Sequence, residues 1–154
     1  MAENTLYKIA LDKAMSQCSR REFCIDDIHS KLTSWGVGKT DADKIIKTLI
    51  KENFINEQRY AAAFVKDKFK YNKWGKIKIS VHLVAKKLPQ DIVSSALDSI
   101  DNEQYTKVLR GIIEGHRKSV KAKNQYDLKA KLLRYGLSKG FESSLLYDIL
   151  NDLE

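Results

Sequence analysis

The sequence predicts an all-α protein of three tandem three-helix repeats, and three observations carry that expectation. A helical pattern is written three times at a spacing of about fifty residues. Apolar residues recur at three-four spacing along nearly the whole chain. Proline occurs once, at Pro89, and no strand-like alternation bounded by turn residues persists. The copies fall at residues 28–37, 79–88 and 128–137. Each has an aliphatic residue, Leu four positions later and a further aliphatic residue five after that; two place aromatic-Gly before the last aliphatic, as Trp35-Gly36 and Tyr135-Gly136. Repeats build extended surfaces rather than enclosed pockets, which favours a binding protein over an enzyme.

Three-four spacing places helices at about 5–18, 25–35 and 41–53, then 57–72, 76–87 and 90–100, then 103–120, 125–135 and 141–152. They group into repeats at about 5–53, 54–101 and 102–154, within a single chain spanning 1–154. Asp26-Asp27 suits the start of the second helix, where carboxylates interact favourably with the helix dipole. Gly36 and Gly136 are expected to end the middle helices of repeats one and three, because a C-terminal residue of positive φ costs glycine least. Thr40-Asp41-Ala42-Asp43 and Asn124-Gln125-Tyr126-Asp127 read as N-caps with an acid three residues on. The segment Ile77-Lys78-Ile79-Ser80-Val81 has β-branched propensity, but its sibling copies read as helix, so helix is expected there too. Pro89 suits the start of the following helix, where a missing N–H removes no bond. Each three-helix unit is too small to bury its apolar faces alone, so stacked neighbours should share one continuous core in an elongated outline.

With 154 residues, 43% apolar and 31% charged, the chain has the composition of a folded soluble protein. Cys18 and Cys24 sit in no CxxC or His-rich pattern, and His29, His82 and His116 are scattered, so no metal site is expected and the thiols should be reduced. No apolar run approaches membrane-spanning length, and the N-terminus lacks the order of a signal peptide. A cytoplasmic protein with no membrane partner, monomeric, is the expectation.

The net charge of +8 is placed unevenly. Residues 66–87 carry eight lysines against Asp67 alone, and residues 117–139 carry eight Lys and Arg against Asp127 alone. Such asymmetry attracts polyanions or acidic protein surfaces. Val37-Gly38-Lys39-Thr40 imitates the end of a phosphate-binding loop, but Thr33 stands where the pattern needs glycine and no strand precedes it. No catalytic constellation and no cofactor motif is present. Projected at about 100° per residue, Tyr60, Ala61, Phe64, Val65, Phe69 and Tyr71 share one half of the fourth helix, while Arg59, Lys66, Lys70 and Lys73 share a narrow arc opposite. Lys68 lies inside the apolar arc and must snorkel. The basic stripe is roughly 21 Å long by helical rise and suits phosphates or an acidic groove. Lys131 and Arg134 lie three apart on one side of a helix in the third repeat. Trp35, Trp74, Tyr126 and Tyr135 could stack on bases, but beside helix ends packing is the favoured reading.

The central unit resembles the RecX family, regulators of the bacterial recombinase RecA. The resemblance rests on Ile55-Asn56-Glu57-Gln58-Arg59-Tyr60-Ala61, then Gly75, Lys78-Ile79, Leu83 and Lys86-Lys87-Leu88, and in the first unit on the stretch from Arg21 to Leu32. Cys24 stands where the family has a Ser cap, Asp27 where it has Glu, and Lys87 where it has Gly in a turn. The resemblance implies an elongated, curved, right-handed array of three-helix repeats. It implies binding to RecA and its single-stranded-DNA filament, with inhibition of filament growth, ATP hydrolysis and strand exchange in recombination and repair. Arg59, Lys66, Lys70 and Lys73 would form the main contact, extended by Lys76, Lys78 and Lys86, with Lys131 and Arg134 as a second contact. Asn56 and Glu57 would position the helix start. Weak, non-specific contact with single- or double-stranded DNA would accompany that binding. The competing reading is a stand-alone, non-specific nucleic-acid-binding repeat protein, which would bind DNA tightly by itself.

Overall fold

The computed structural model describes residues 2–153, with side-chain surroundings from residue 5 onward. Among these residues the chain forms nine helices and no strand: α1 Ala2–Arg20, α2 Ile25–Ser34, α3 Lys39–Lys51, α4 Glu57–Lys70, α5 Lys76–Ala85, α6 Gln90–Asp98, α7 Asn102–Ser119, α8 Gln125–Ser138 and α9 Ser143–Asp152. α1 and α2 pack on α3, the three helices α4–α6 pack on one another, and α8 packs on both α7 and α9. The β-branched run 77–81 is helical, as expected.

Local chemistry sets the helix starts. At α2 the Asp27 N–H donates to Cys24 Sγ and the Cys24 N–H donates to Asp27 Oδ2, both at 3.4 Å, so the weaker thiol cap still closes a reciprocal box. Asn56, Asp101 and Asn124 cap α4, α7 and α8 by accepting from the N–H groups of Arg59, Gln104 and Asp127 at 3.0, 2.9 and 2.8 Å. The cap expected of Thr40 does not form. α3 begins after Gly38, with no side-chain cap, and Thr40 lies inside its first turn.

The third copy of the repeat is displaced by four residues from its expected register. Gly136 does not end α8; it lies buried within the helix, against Leu146, whose Cδ2 would overlap any added Cβ. The positive φ falls instead at Gly140, at +93°. This matches Gly36 at +85° and Lys87 at +64° in the first two units. Each position closes the same turn: Val37, Leu88 and Phe141 N–H groups donate back to Leu32, Leu83 and Gly136 carbonyls at 3.0, 3.4 and 3.2 Å. The structural copy is therefore Leu132–Gly136–Phe141, with Leu132 and Phe141 fully buried, whereas Leu137 is 44% exposed. Lys87 keeps the family's glycine turn by adopting the left-handed conformation itself.

The core is not continuous, contrary to expectation. One cluster, from Ala10 to Ile55 and centred on Ile28, Leu32, Ile45 and Leu49, lies wholly within α1–α3 and its adjoining turns. The second unites α4–α9 around Ile79, Leu83, Leu109, Leu132 and Phe141, and receives only Cys24 from the first unit. The chain exposes 9686 Å². A compact protein of 17.7 kDa would expose about 8,000 Å², so the excess supports an elongated outline.

Candidate partner-binding surface

The basic residues expected to make the main and second contacts divide into four groups. Arg59 and Lys86 join the first and second units. Arg59 Nε lies 2.6 Å from Glu22 Oε2, and its Nη2 donates to the carbonyls of Asn53 and Phe54 at 3.1 and 3.4 Å. Lys86 Nζ reaches Asp27 Oδ1 at 2.7 Å, and Lys87 Nζ lies 3.5 Å from Asp26. Arg59 does project beside Lys66, as the helical projection requires, but its charge is neutralised within the chain. Nor is Glu57 only a helix-start residue: its carboxylate accepts the Ile25 N–H at 3.2 Å, tying α4 to the first turn of α2.

Electrostatics follow from this seam. Burial acts to raise the Asp27 carboxyl, but hydrogen bonds from Lys86 and Cys24 outweigh it and hold the group below its ordinary value. The hydrogen bond to Asp27 correspondingly raises the Lys86 ammonium. Burial, with Asp26 and Asp27 nearby, raises Glu57 despite the Ile25 N–H. The Cys24 thiol is pushed up to about 11, chiefly by burial, so it acts as a cap and core group rather than a nucleophile. A cleft of about 820 Å³ opens between the two units, lined by Phe23, Asp26, Ser30, Tyr60, Phe64 and Lys68 among others.

The second group faces outward. Lys66, Lys70 and Lys73 line one side of a groove of about 620 Å³ between α4 and α7, floored by Ala62, Val65 and Phe69. Across it stand Gln104, Val108 and Asp101, whose carboxylate is already engaged in capping α7. Lys73 sits at φ +55° just past α4 and also lines the next hollow along α7, with Gly111, Gly115, His116, Tyr135 and Lys139. Gly111 and Gly115 bring no helix close, since a Cβ at either would meet nothing within 4 Å. Tyr135 stacks on His116 at 3.7 Å between ring centroids, which explains the aromatic by packing rather than base recognition.

Lys76 and Lys78 start α5, where the second unit docks on the third. The Lys76 N–H donates to Tyr105 Oη at 2.9 Å, and Tyr105 donates in turn to Glu142. Burial and that carboxylate raise the phenol far above its ordinary value. The Lys76 ammonium lies over the Tyr105 ring at 4.9 Å, and the Lys78 and Lys68 ammoniums lie 4.7 and 5.1 Å from the Trp74 centroid. Gly75 and Gly140 meet backbone to backbone: a Cβ on Gly75 would overlap the Gly140 carbonyl. The Gly75 and Ile77 N–H groups donate to the Lys139 and Gly140 carbonyls at 2.7 and 3.0 Å. Trp74 is thus a packed platform for lysines, as the packing reading expects.

The fourth group is on α8. Lys131 Nζ lies 3.1 Å from Asp127 and donates to the Lys121 carbonyl at 2.6 Å, which ties down the basic linker, while Arg134 is exposed. Sequence reasoning missed Lys139, whose Nζ donates to the Asn72 carbonyl at 3.0 Å. Its place beyond the assumed end of α8 concealed it. Among the described residues no cluster of His, Cys, Asp and Glu could hold a metal, and no helix is long and apolar enough to cross a membrane.

Three-helix units with lysine-lined grooves define a helical-repeat protein with a basic, outward-facing surface. The model of the second three-helix domain of RecX matches residues 56–97, the α4–α6 segment. Regulatory protein RecX of Clostridium perfringens (strain SM101 / Type A) is 30% identical over 129 residues, which cover 82% of this chain and 58% of that protein. The Clostridium acetobutylicum regulatory protein RecX is 27% identical over 156 residues, covering 98% and 72%. The crystal structure of RecX from Lactobacillus salivarius superposes with a TM-score of 0.85 over 97% of both chains at 20% identity, which speaks for the fold. The chain belongs to the RecX family. It spans a little under three fifths of the length of several of these relatives, at 58–59%.

Proposed function

We propose that this chain is a regulatory, non-catalytic protein that binds the RecA recombinase and its single-stranded-DNA filament. It inhibits filament growth, ATP hydrolysis and strand exchange. The observation that carries this reading is the lysine side of the α4–α7 groove. Lys66, Lys70 and Lys73 project there with no carboxylate partner among the described residues, in the unit that the family model matches. Same-sign charges held together without compensation repel one another, and an acidic protein surface or a phosphate chain relieves that repulsion. Lys76 and Lys78 extend the surface, and Arg134 offers the second contact. Arg59, Lys86 and Lys131 support it from behind through their internal pairs.

The test is steady-state ATP hydrolysis by RecA on single-stranded DNA. The wild-type protein should depress it, and the triple reversal Lys66→Glu, Lys70→Glu, Lys73→Glu should restore most of it. Undiminished hydrolysis at several-fold excess of the protein would overturn the proposal. The same lysines also fit phosphate directly, so stand-alone nucleic-acid binding is the second reading. It requires tight binding to DNA without RecA, with log affinity falling steeply against log salt. The triple variant should then flatten that slope by about 2, at roughly 0.7 per phosphate contact on a single strand.

A further inference from the structure

The outward face of α5 is aliphatic and is left uncovered by the described residues. Ile77, Val81 and Val84 are 49%, 62% and 51% exposed. Their spacing of four and three residues puts them in one stripe. The other units supply an internal comparison. Aligned through the turns at Gly36, Lys87 and Gly140, the same positions are Asp26, Ser30 and Thr33 in α2, and Ala130, Arg134 and Leu137 in α8. The fold therefore does not require an aliphatic face there; only the central unit has one throughout. Three β-branched residues also weaken the helix that carries them, so local helix stability does not account for the stripe.

Its surroundings say what would cover it. From 68 to 90 the chain has seven lysines and no acid. Lys86 and Lys87 pair with Asp27 and Asp26, while Lys68, Lys76 and Lys78 lie over aromatic rings. Lys78 directly borders the stripe in helical projection. We infer that the α5 stripe docks an amphipathic protein segment whose aliphatic side chains fill the Ile77–Val81–Val84 row and whose flanking Asp or Glu residues meet the lysines. A second copy of this chain would set lysine-rich segments against each other. Nucleic acid offers no aliphatic surface and would gain little from Val and Ile, which present no ring for stacking. Placing the docked segment on RecA rests on the function proposed above.

The experiment titrates fluorescently labelled protein with RecA assembled on oligo(dT), comparing wild type with the Val81→Ser, Val84→Ser double variant. Both side chains are exposed, and thermal melting checks that the variant stays folded. Loss of two half-buried aliphatic contacts should weaken binding about tenfold. The factor should be similar at low and high salt, because apolar burial is not screened as ion pairs are. The matched change on α2, Ser30→Ala with Thr33→Ala, should leave binding unchanged. Wild-type binding with an unaffected double variant would overturn the stripe and spare the RecA reading; no wild-type binding would overturn both. Sedimentation showing a wild-type dimer that the variant loses would identify a second copy as the occupant. Wild-type binding to phosphatidylglycerol vesicles that the variant loses would identify a lipid surface. Either result would overturn the proposal.

Discussion

Replacing Lys87 by glycine should stabilise the protein. Lys87 adopts φ +64° to close the turn between α5 and α6. For a residue bearing a Cβ the left-handed conformation costs about 1–2 kcal/mol, and glycine escapes that cost. Against it stand two smaller quantities. Glycine gains freedom in the unfolded chain, worth about 0.4–1 kcal/mol. The change also removes the 3.5 Å ion pair with Asp26, but the Lys87 side chain is 80% exposed, so that loss is close to nil after solvent screening. The balance is a gain of about 0.5–1 kcal/mol, or about 1–4 °C in Tm for a chain of this size. Lys87→Ala separates the contributions: it deletes the ion pair and keeps the Cβ, so it should be neutral or slightly destabilising.

The same geometry gives the reverse change at the equivalent positions. Gly36→Ala meets no atom within 4 Å and should lose only the conformational advantage, about 0.5–1 kcal/mol. Gly140→Ala has the same positive φ, and its Cβ would also lie 2.7 Å from the Lys78 backbone nitrogen, so the second and third units would have to separate locally. It should cost more than Gly36→Ala by at least about 1 kcal/mol. Urea unfolding followed by circular dichroism reads all four variants on one scale. A Lys87→Gly protein no more stable than Lys87→Ala would refute the argument from the left-handed turn.

Three further outcomes follow from the seam between the first two units. Arg59→Ala should destabilise the chain by about 1–2 kcal/mol in urea unfolding, because it leaves Glu22 part-buried and unpaired when one of its oxygens is already unsatisfied; Lys66→Ala, on the groove, should change stability by less than about 0.5 kcal/mol. Asp27 has a folded-state pKa below its ordinary 3.8, so its contribution is present above that value and is lost as pH falls through the lower folded value. Lys86 is raised above 10.5, so its contribution is complete below that pH and is lost only as alkali passes the raised value. Thermal melting should therefore show a neutral plateau with falling Tm at both extremes, and Asp27→Asn should flatten the acid limb. The Cys24 thiol, buried and raised to about 11, should react with a thiol reagent at pH 8 only as fast as the protein opens; prompt labelling of two thiols in the native state would contradict its burial.

Helix positions were legible because each helix has a period and most have a chemically marked end. Asn56 and Asn124 are short polar side chains before apolar periodicity, and both became caps; Asp101 caps α7 without having been marked in advance. The register of the third copy was not legible, for a reason inherent in the same period. A slip of four residues rotates a helix by only about 40°, so Leu128–Leu132–Leu137 imitates the true Leu132–Gly136–Phe141 row. Tyr135-Gly136 strengthened the imitation, and only the position of positive φ resolves it. Charge showed where the basic segments lie but not which cations remain unpaired. Arg59 and Lys66 project alike from α4, yet Glu22 meets one and not the other, 37 residues away in sequence. Long-range pairing of that kind leaves no trace in local spacing. The α5 stripe was hidden by the same limit: its β-branched run looked like a strand signal, and exposure cannot be read from hydrophobicity alone.

The unequal joints between units decide how this repeat protein distributes its stability. In a stack of repeats each interface contributes separately, and here the two interfaces differ in kind. The joint between the second and third units is made of shared core, the Gly75–Gly140 backbone contact and the Lys76–Tyr105–Glu142 chain of hydrogen bonds. Apolar burial and close backbone contact are little affected by ionic strength. The joint between the first and second units is a set of part-exposed ion pairs, with Glu57 on Ile25 and Cys24 inserted, beside an open cleft of about 820 Å³. Ion pairs of that exposure weaken as salt rises. Units two and three therefore share one core, and that core holds Lys66, Lys70 and Lys73 beside α7. The first unit, with a core of its own, is attached largely through charge, so rising salt should loosen its joint before that between units two and three.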